Sequence, residues 1–149
     1  MKYDMNLVIT ISSPSEVLNI AQELMKLLSH RSLFLFVGEV GAGKTTIISK
    51  LCQMLGFPHS VSPSFSILNR YENEKGQSLD HVDLYRLNDE TDLESTGFWD
   101  LFQQEKAWVM VEWSDRIADH AWPLDWSTYK VEIEILGSTA RRVSISSLN

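Results

Sequence analysis

Gly38-Glu39-Val40-Gly41-Ala42-Gly43-Lys44-Thr45 follows the apolar run Leu33-Phe34-Leu35-Phe36-Val37 and opens into a stretch with helical spacing. A strand, a glycine-rich turn and a helix in that order make a phosphate-binding loop in its expected context. Glycines let the backbone curl until successive amide N–H groups converge on one phosphate, and the start of the following helix adds the positive end of its dipole. In the pattern G-x-x-x-x-G-K-[ST], Lys44 supplies a point charge for the β- and γ-phosphates, and the Thr45 hydroxyl supplies a magnesium ligand. The expected nucleotide contacts are therefore Gly38, Glu39, Val40, Gly41, Ala42, Gly43, Lys44 and Thr45. A glycine turn that joins a strand to a helix without a ligand is the alternative, and the strand context disfavours it.

Working outward, 149 residues fit one domain spanning 1–149, of a size that buries about 68–70% of the surface its unfolded chain exposes. Lys and Arg number 13 against 20 Asp and Glu, a net charge of −7, and no basic cluster is longer than Arg141-Arg142. Autonomous binding to a nucleic-acid backbone needs a concentrated basic face, so the balance disfavours it. The single cysteine, Cys52, forms no internal disulfide and falls on the apolar face of the helix after the loop, where it reads as packing and fits a reducing compartment. The N-terminus carries a lone Lys2 with no sustained apolar region behind it, and no stretch approaches 18 uncharged apolar residues. The expectation is a cytoplasmic protein without a membrane partner.

The elements follow from local pattern. Asn6 to Ile11 reads as a strand, and Ser13-Pro14-Ser15-Glu16 as a capping box with proline at the first helical position. Val17, Ala21, Leu24 and Leu28 then recur at helical spacing, with Leu18 and Met25 on the flank. Leu33 to Val37 is apolar on both faces, as in a central strand covered by helices on each side. The helix from Lys44 runs through Ile47, Ile48, Leu51, Cys52 and Leu55 until Gly56 and Pro58 stop it. Phe65 to Tyr71 and Ser78 to Asp83 read as strands joined by a turn at Asn73-Glu74-Lys75-Gly76, and Asn88 to Glu94 starts a helix ending at Gly97. Phe98 to Phe102 forms a short apolar turn. Val131, Ile133 and Ile135 alternate with Glu132 and Glu134, turn at Gly137-Ser138 and return through Val143 and Ile145, which predicts an antiparallel hairpin at a sheet edge.

A bound polyphosphate needs a metal, a positioned water and compensation for charge on the transferring group. The second fully apolar run, Ala107-Trp108-Val109-Met110-Val111, ends in Glu112, which places a carboxylate where ligands collect at the carboxyl ends of parallel strands. Glu112, directly or through a water, and Thr45 are the expected metal ligands. Asp83 ends another strand, where it can orient the attacking water or hold the metal through a bridging water, and Glu112 and Asp83 are together the candidate catalytic residues. Ser64, after the stiffening Pro63, is a candidate sensor of the γ-phosphate. Arg70, Arg86 and Arg116 are candidates for charge compensation, though no spacing singles one out. His30, His59, His81 and His120 share no metal-ligand spacing with each other or with Cys52, and Trp113 is the tryptophan set apart by its place beside Glu112.

Taken in order, Gly-Glu-x-Gly-Ala-Gly-Lys-Thr-Thr at 38–46, Ser-Pro-Ser-Phe at 62–65, His-x-Asp-Leu-Tyr-Arg at 81–86 and Val-Glu-Trp at 111–113 resemble the bacterial TsaE (YjeE) family, the ATPase component of tRNA threonylcarbamoyladenosine biosynthesis. The resemblance spans nearly the whole chain. It implies an α/β P-loop NTPase three-layer sandwich, with a mainly parallel central sheet and an antiparallel C-terminal hairpin. It also implies a protein that binds and hydrolyses ATP with Mg²⁺ and joins TsaD and TsaB in modifying adenosine 37 of tRNAs that read codons beginning with A. Transfer of the threonylcarbamoyl group belongs to the partners, and tRNA is reached only through the complex. The family's loop falls on Gly38 to Thr46, its metal ligands on Thr45 and Glu112, and its catalytic aspartate on Asp83. Members commonly have Ser-Pro-Thr where this chain has Ser-Pro-Ser, which keeps the hydroxyl of Ser64 and loses a methyl. Two other readings of the residues are a small-molecule kinase, hinted at by Asp115-Arg116, and an interaction module gated by nucleotide binding alone.

Overall fold

The computed structural model describes residues 6–58, 68–85 and 90–149. Seven strands form one sheet: β1 (Asn6–Ile11), β2 (Arg31–Gly38), β3 (Leu68–Glu72), β4 (Ser78–Asp83), β5 (Ala107–Glu112), β6 (Ser127–Ile135) and β7 (Arg141–Ser147). Their order across the sheet is β1-β7-β6-β2-β5-β4-β3. The four central strands, β6, β2, β5 and β4, run parallel, while β1, β7 and β3 pair antiparallel at the flanks. The parallel character is thus confined to the centre. There the carboxyl ends of β2, β5 and β4 reach the same rim of the sheet.

Helices α1 (Val17–Lys26) and α2 (Lys44–Met54) cover one face, and α3 (Glu90–Ser95) with a 3₁₀ turn at Phe98–Gln103 covers part of the other. The alternation of β2 explains the two cores. Phe34 and Phe36 face α1 and α2 with Ile20, Leu24, Ile48 and Leu51, while Leu33 and Leu35 face Leu84, Phe98, Phe102 and Trp126. Each of these side chains is at least nine-tenths buried, as a central strand sandwiched between two layers requires.

Local chemistry sets the helix ends. The expected capping box is rearranged: Pro14–Glu16 forms a 3₁₀ turn, and the Glu16 carboxylate accepts from the Ser12 main-chain N–H and hydroxyl rather than from Ser13's N–H. In α1, Val17, Ile20, Ala21 and Leu24 are buried, and Leu18 on the flank is exposed. At the far end of α2, Gly56 (φ +80°) lets its N–H bond the Gln53 carbonyl at 3.2 Å and the Phe57 N–H bond the Cys52 carbonyl at 2.9 Å, a Schellman closure. Cys52 is fully buried, as its packing role predicts.

The C-terminal hairpin does not lie at the sheet edge. β6 pairs with β2 on its inner side, and β7 is covered on its outer side by β1, so the hairpin is interior. The alternation of β6 reports that the face carrying Glu132 and Glu134 is exposed, which a hairpin in the middle of a sheet satisfies equally when no helix covers that face. Of the expected elements, Phe65 with the start of its strand, and Asn88, lie outside the described residues, as do Ser64 and Arg86. Among the described residues, no helix is long and apolar enough to cross a membrane.

Candidate functional site

The loop between β2 and α2 is shaped by two glycines in the left-handed region, Gly41 at φ +82° and Gly43 at φ +108°. That backbone is strained for any residue with a Cβ. Gly38 is needed for a different reason: a Cβ there would come within 3.0 Å of both the Ala42 side chain and the Ile133 carbonyl oxygen of the neighbouring strand. The turn is closed by the Ala42 N–H on the Glu39 carbonyl at 3.0 Å, and α2 starts immediately at Lys44.

Lys44 is 5% exposed, and its ammonium folds back to donate to the Gly38 carbonyl at 2.6 Å and the Glu39 carbonyl at 3.1 Å. It also lies 4.2 Å from the centroid of the Trp113 ring. Burial pushes the ammonium below the usual lysine range, against the upward pull of Glu112, Asp83 and Asp115. A cation held in a desolvated niche by neutral carbonyls gains more from a phosphate than a solvated one does, because the cost of leaving water is already met.

Beside it, the Thr45 hydroxyl donates to Glu112 Oε1 at 2.8 Å. Asp83 and Glu112 are register partners on parallel β4 and β5, so both carboxylates point to the α2 face at the same height. Asp83 Oδ1 accepts the Tyr85 N–H at 2.9 Å. These groups, with Val40, Thr46, Tyr85 and Trp113, line a cleft of about 390 Å³ at the carboxyl rim of the sheet. The hydroxyl and carboxylate oxygens there are the hard donors that a magnesium ion takes while keeping several waters.

One contributor, His81, had no role assigned from the sequence, and a second, Trp113, was set apart there only by its place beside Glu112. His81, two residues before Asp83 on β4, is fully buried with Nε2 2.6 Å from Glu112 Oε2. With Glu112 ionised, Nε2 carries the proton and donates, fixing the second oxygen of the carboxylate while Thr45 holds the first. The signal present was the alternation of β4, which puts His81 and Asp83 on one face; a search for metal-ligand spacing does not register it. Trp113 is the second, because its backbone (φ 59°, ψ 37°) is the single non-glycine left-handed one among the described residues. That conformation costs a bulky residue on the order of 1–3 kcal/mol and turns the ring over Lys44 and against Tyr85, whose ring centroid is 5.0 Å away.

Of the sequence candidates, residues 38–46, Asp83 and Glu112 come together at this rim. Arg70 does not join them: it forms a bidentate pair with the fully buried Asp80 at 2.7 and 3.0 Å, on the sheet face away from α2. Arg116 lies beside the cleft with its guanidinium 5.8 Å from the Tyr85 ring. Among the described residues, no group of three His, Cys, Asp or Glu side chains is placed to hold a metal.

Residues 11–143 match the family model for the threonylcarbamoyl adenosine biosynthesis protein TsaE. The chain is 34% identical over 140 residues to a tRNA threonylcarbamoyladenosine biosynthesis protein TsaE of Aquifex aeolicus, covering 92% of this chain and 93% of that one. A TsaE of Haemophilus influenzae is 35% identical over 98 residues, covering 64% and 61%. The crystal structure of YdiB from Bacillus subtilis superposes with a TM-score of 0.75 at 23% identity, covering 100% of this chain and 90% of its own, and so shares the fold.

Proposed function

The chain belongs to the TsaE family of tRNA threonylcarbamoyladenosine biosynthesis, and from that membership we propose that it is a P-loop ATPase whose turnover drives this tRNA modification in complex with TsaD and TsaB homologues. The observation that carries the proposal is the Lys44–Thr45–Glu112–Asp83 constellation around the glycine loop at the carboxyl rim. Glycine amides and the α2 start receive the β-phosphate, and Lys44 exchanges its two carbonyls for the β- and γ-phosphate oxygens. Thr45 and Glu112 would hold Mg²⁺, which would neutralise charge on the phosphates. Asp83, beside Glu112, orients the attacking water, and Trp113 over Lys44 excludes bulk solvent from the ammonium.

Adenine is favoured over guanine because no Asn/Thr-Lys-x-Asp base-reading motif occurs in the chain. The net charge of −7 fits a subunit that meets tRNA through its partners in the cytoplasm. Arg70 is committed to Asp80, and no spacing singles out Arg86 or Arg116 as a finger, so slow turnover in isolation is expected. An arginine acting in trans is typically worth ~10³ to 10⁵ in rate.

Turnover of Mg-ATP by the protein alone, and with TsaD and TsaB homologues plus tRNA, tests the reading. Association and a rise in turnover are expected, and a mixture showing neither refutes it. Lys44→Ala abolishes nucleotide binding, whereas Asp83→Asn binds ATP in calorimetry and hydrolyses it at least ~10²-fold more slowly. Equal hydrolysis by the Asp83 variant removes that residue from the chemistry.

A further inference from the structure

At the start of β7, the Arg141 guanidinium donates to four main-chain carbonyl oxygens. Nε bonds Ala42 O at 3.1 Å and Nη2 bonds Gly41 O at 3.2 Å, both in the glycine loop. Nη1 bonds Gly137 O at 2.7 Å and Ala140 O at 2.8 Å, both in the turn between β6 and β7. Among the described residues, no carboxylate lies within ion-pair distance of it. A side chain with this charge would ordinarily sit in water or against an acid; here it spans two loops about 100 residues apart in sequence.

We propose that Arg141 is a positioning residue for nucleotide binding, one that holds the phosphate loop in its anion-receiving form before any ligand arrives. A trans peptide points its N–H opposite to its C=O. Holding the carbonyls of Gly41 and Ala42 therefore fixes the direction of two N–H groups, that of Ala42, which closes the turn on the Glu39 carbonyl, and that of Gly43, which faces the phosphate position. A flip of the Ala42–Gly43 peptide turns the φ of Gly43, at +108°, and glycine adopts either sign of φ readily, so this flip meets little intrinsic resistance from the backbone. Such a flip would turn a carbonyl oxygen where an amide should meet phosphate. A guanidinium on the oxygen side opposes it, and the fork geometry lets one side chain fasten both loop peptides and anchor them to the hairpin turn. This position for β7 exists only because the hairpin is interior and next to β2 through β6. The role rests on the nucleotide reading given above and adds to it a residue outside the loop, strand and carboxylate motifs.

Calorimetry of the full chain and of Arg141→Ala and Arg141→Lys with Mg-ATP and with inorganic tripolyphosphate, together with hydrogen exchange of the ligand-free proteins, tests the proposal. Arg141→Ala is expected to weaken both ligands about tenfold or more, since each now binds a loop it must first order. Arg141→Lys, which keeps the charge without the fork, falls between. In the ligand-free Arg141→Ala protein the Ala42 amide, bonded to Glu39 O in the wild type, exchanges faster while amides of α1 and β5 do not change. Unchanged affinities with a protected Ala42 amide overturn the proposal. So does weakened ATP with unweakened tripolyphosphate, which marks a base or ribose contact, and so does faster exchange spread evenly over β6 and β7, which marks loss of stability alone. A wild-type chain that binds neither ligand overturns the nucleotide reading, and exchange at Ala42 then decides the brace by itself.

Discussion

Glu112 is held at both oxygens, by Thr45 at 2.8 Å and by His81 at 2.6 Å, so its carboxylate is aimed before anything binds. His81 is fully buried and its other ring nitrogen has no hydrogen-bond partner among the described residues, so its one polar contact is to Glu112. Removing that donor leaves a buried carboxylate oxygen unsatisfied. If Glu112 ligates magnesium as proposed, His81→Leu is expected to weaken magnesium-dependent ADP binding 10- to 100-fold, roughly the cost of losing an outer partner of a metal ligand, with calorimetry across a magnesium series as the readout. Wild-type magnesium dependence in that variant would show that Thr45 alone positions the carboxylate. Arg70 makes the opposite case, a charged residue with a structural task. Arg70→Ala strands the charge of buried Asp80, with only the Gln104 amide at 3.3 Å among the described residues to compensate, and is expected to destabilise the fold by about 3 kcal/mol in urea unfolding. The double variant Arg70→Ala, Asp80→Leu should recover much of that loss, and ATP turnover per folded molecule should stay as in the wild type.

At the scale of elements, the strand-loop-helix unit works because its two ends are built differently. The N-terminal end of α2 has no side-chain cap, whereas the C-terminal end is closed by the two hydrogen bonds at Gly56 and Phe57. A Cβ on Gly56 would meet nothing within 4 Å, so the cost of Gly56→Ala is that of the left-handed backbone alone, about 1 kcal/mol. A drop of roughly 2–4 °C in melting temperature is expected by calorimetry, with nucleotide affinity unchanged. A larger drop would mean that the closure also sets how α2 packs. This helix and both apolar strands were legible in the sequence because each carries a local period, and the residues that stop them are adjacent in the chain. The capping box before α1 was legible in composition but not in geometry, since Glu16 reaches Ser12 instead of Ser13.

For the whole molecule, the sheet order places β1 as the outer guard of β7, although β1 begins the chain and β7 lies near its end. Deleting residues 1–11 would expose the full edge of β7 and the core beside Ile11, and such an uncovered edge invites pairing with another copy. Light scattering should show self-association of the truncated chain at concentrations where the intact one stays monodisperse, and a monodisperse truncation would show that β7 is protected without β1. Sequence by itself determined the glycine loop with its lysine and threonine, the two apolar strands and the carboxylate that ends one of them, since all of these are spacings of a few residues imposed by turn, helix and strand geometry. Tertiary structure alone decided that the hairpin is interior, that His81 orients Glu112 across 31 residues and that Arg141 fastens the loop from 99 residues away. Contacts between strands that meet only through sheet order leave no period in the chain, because the partner's position is fixed by pairing in space and not by distance along the backbone.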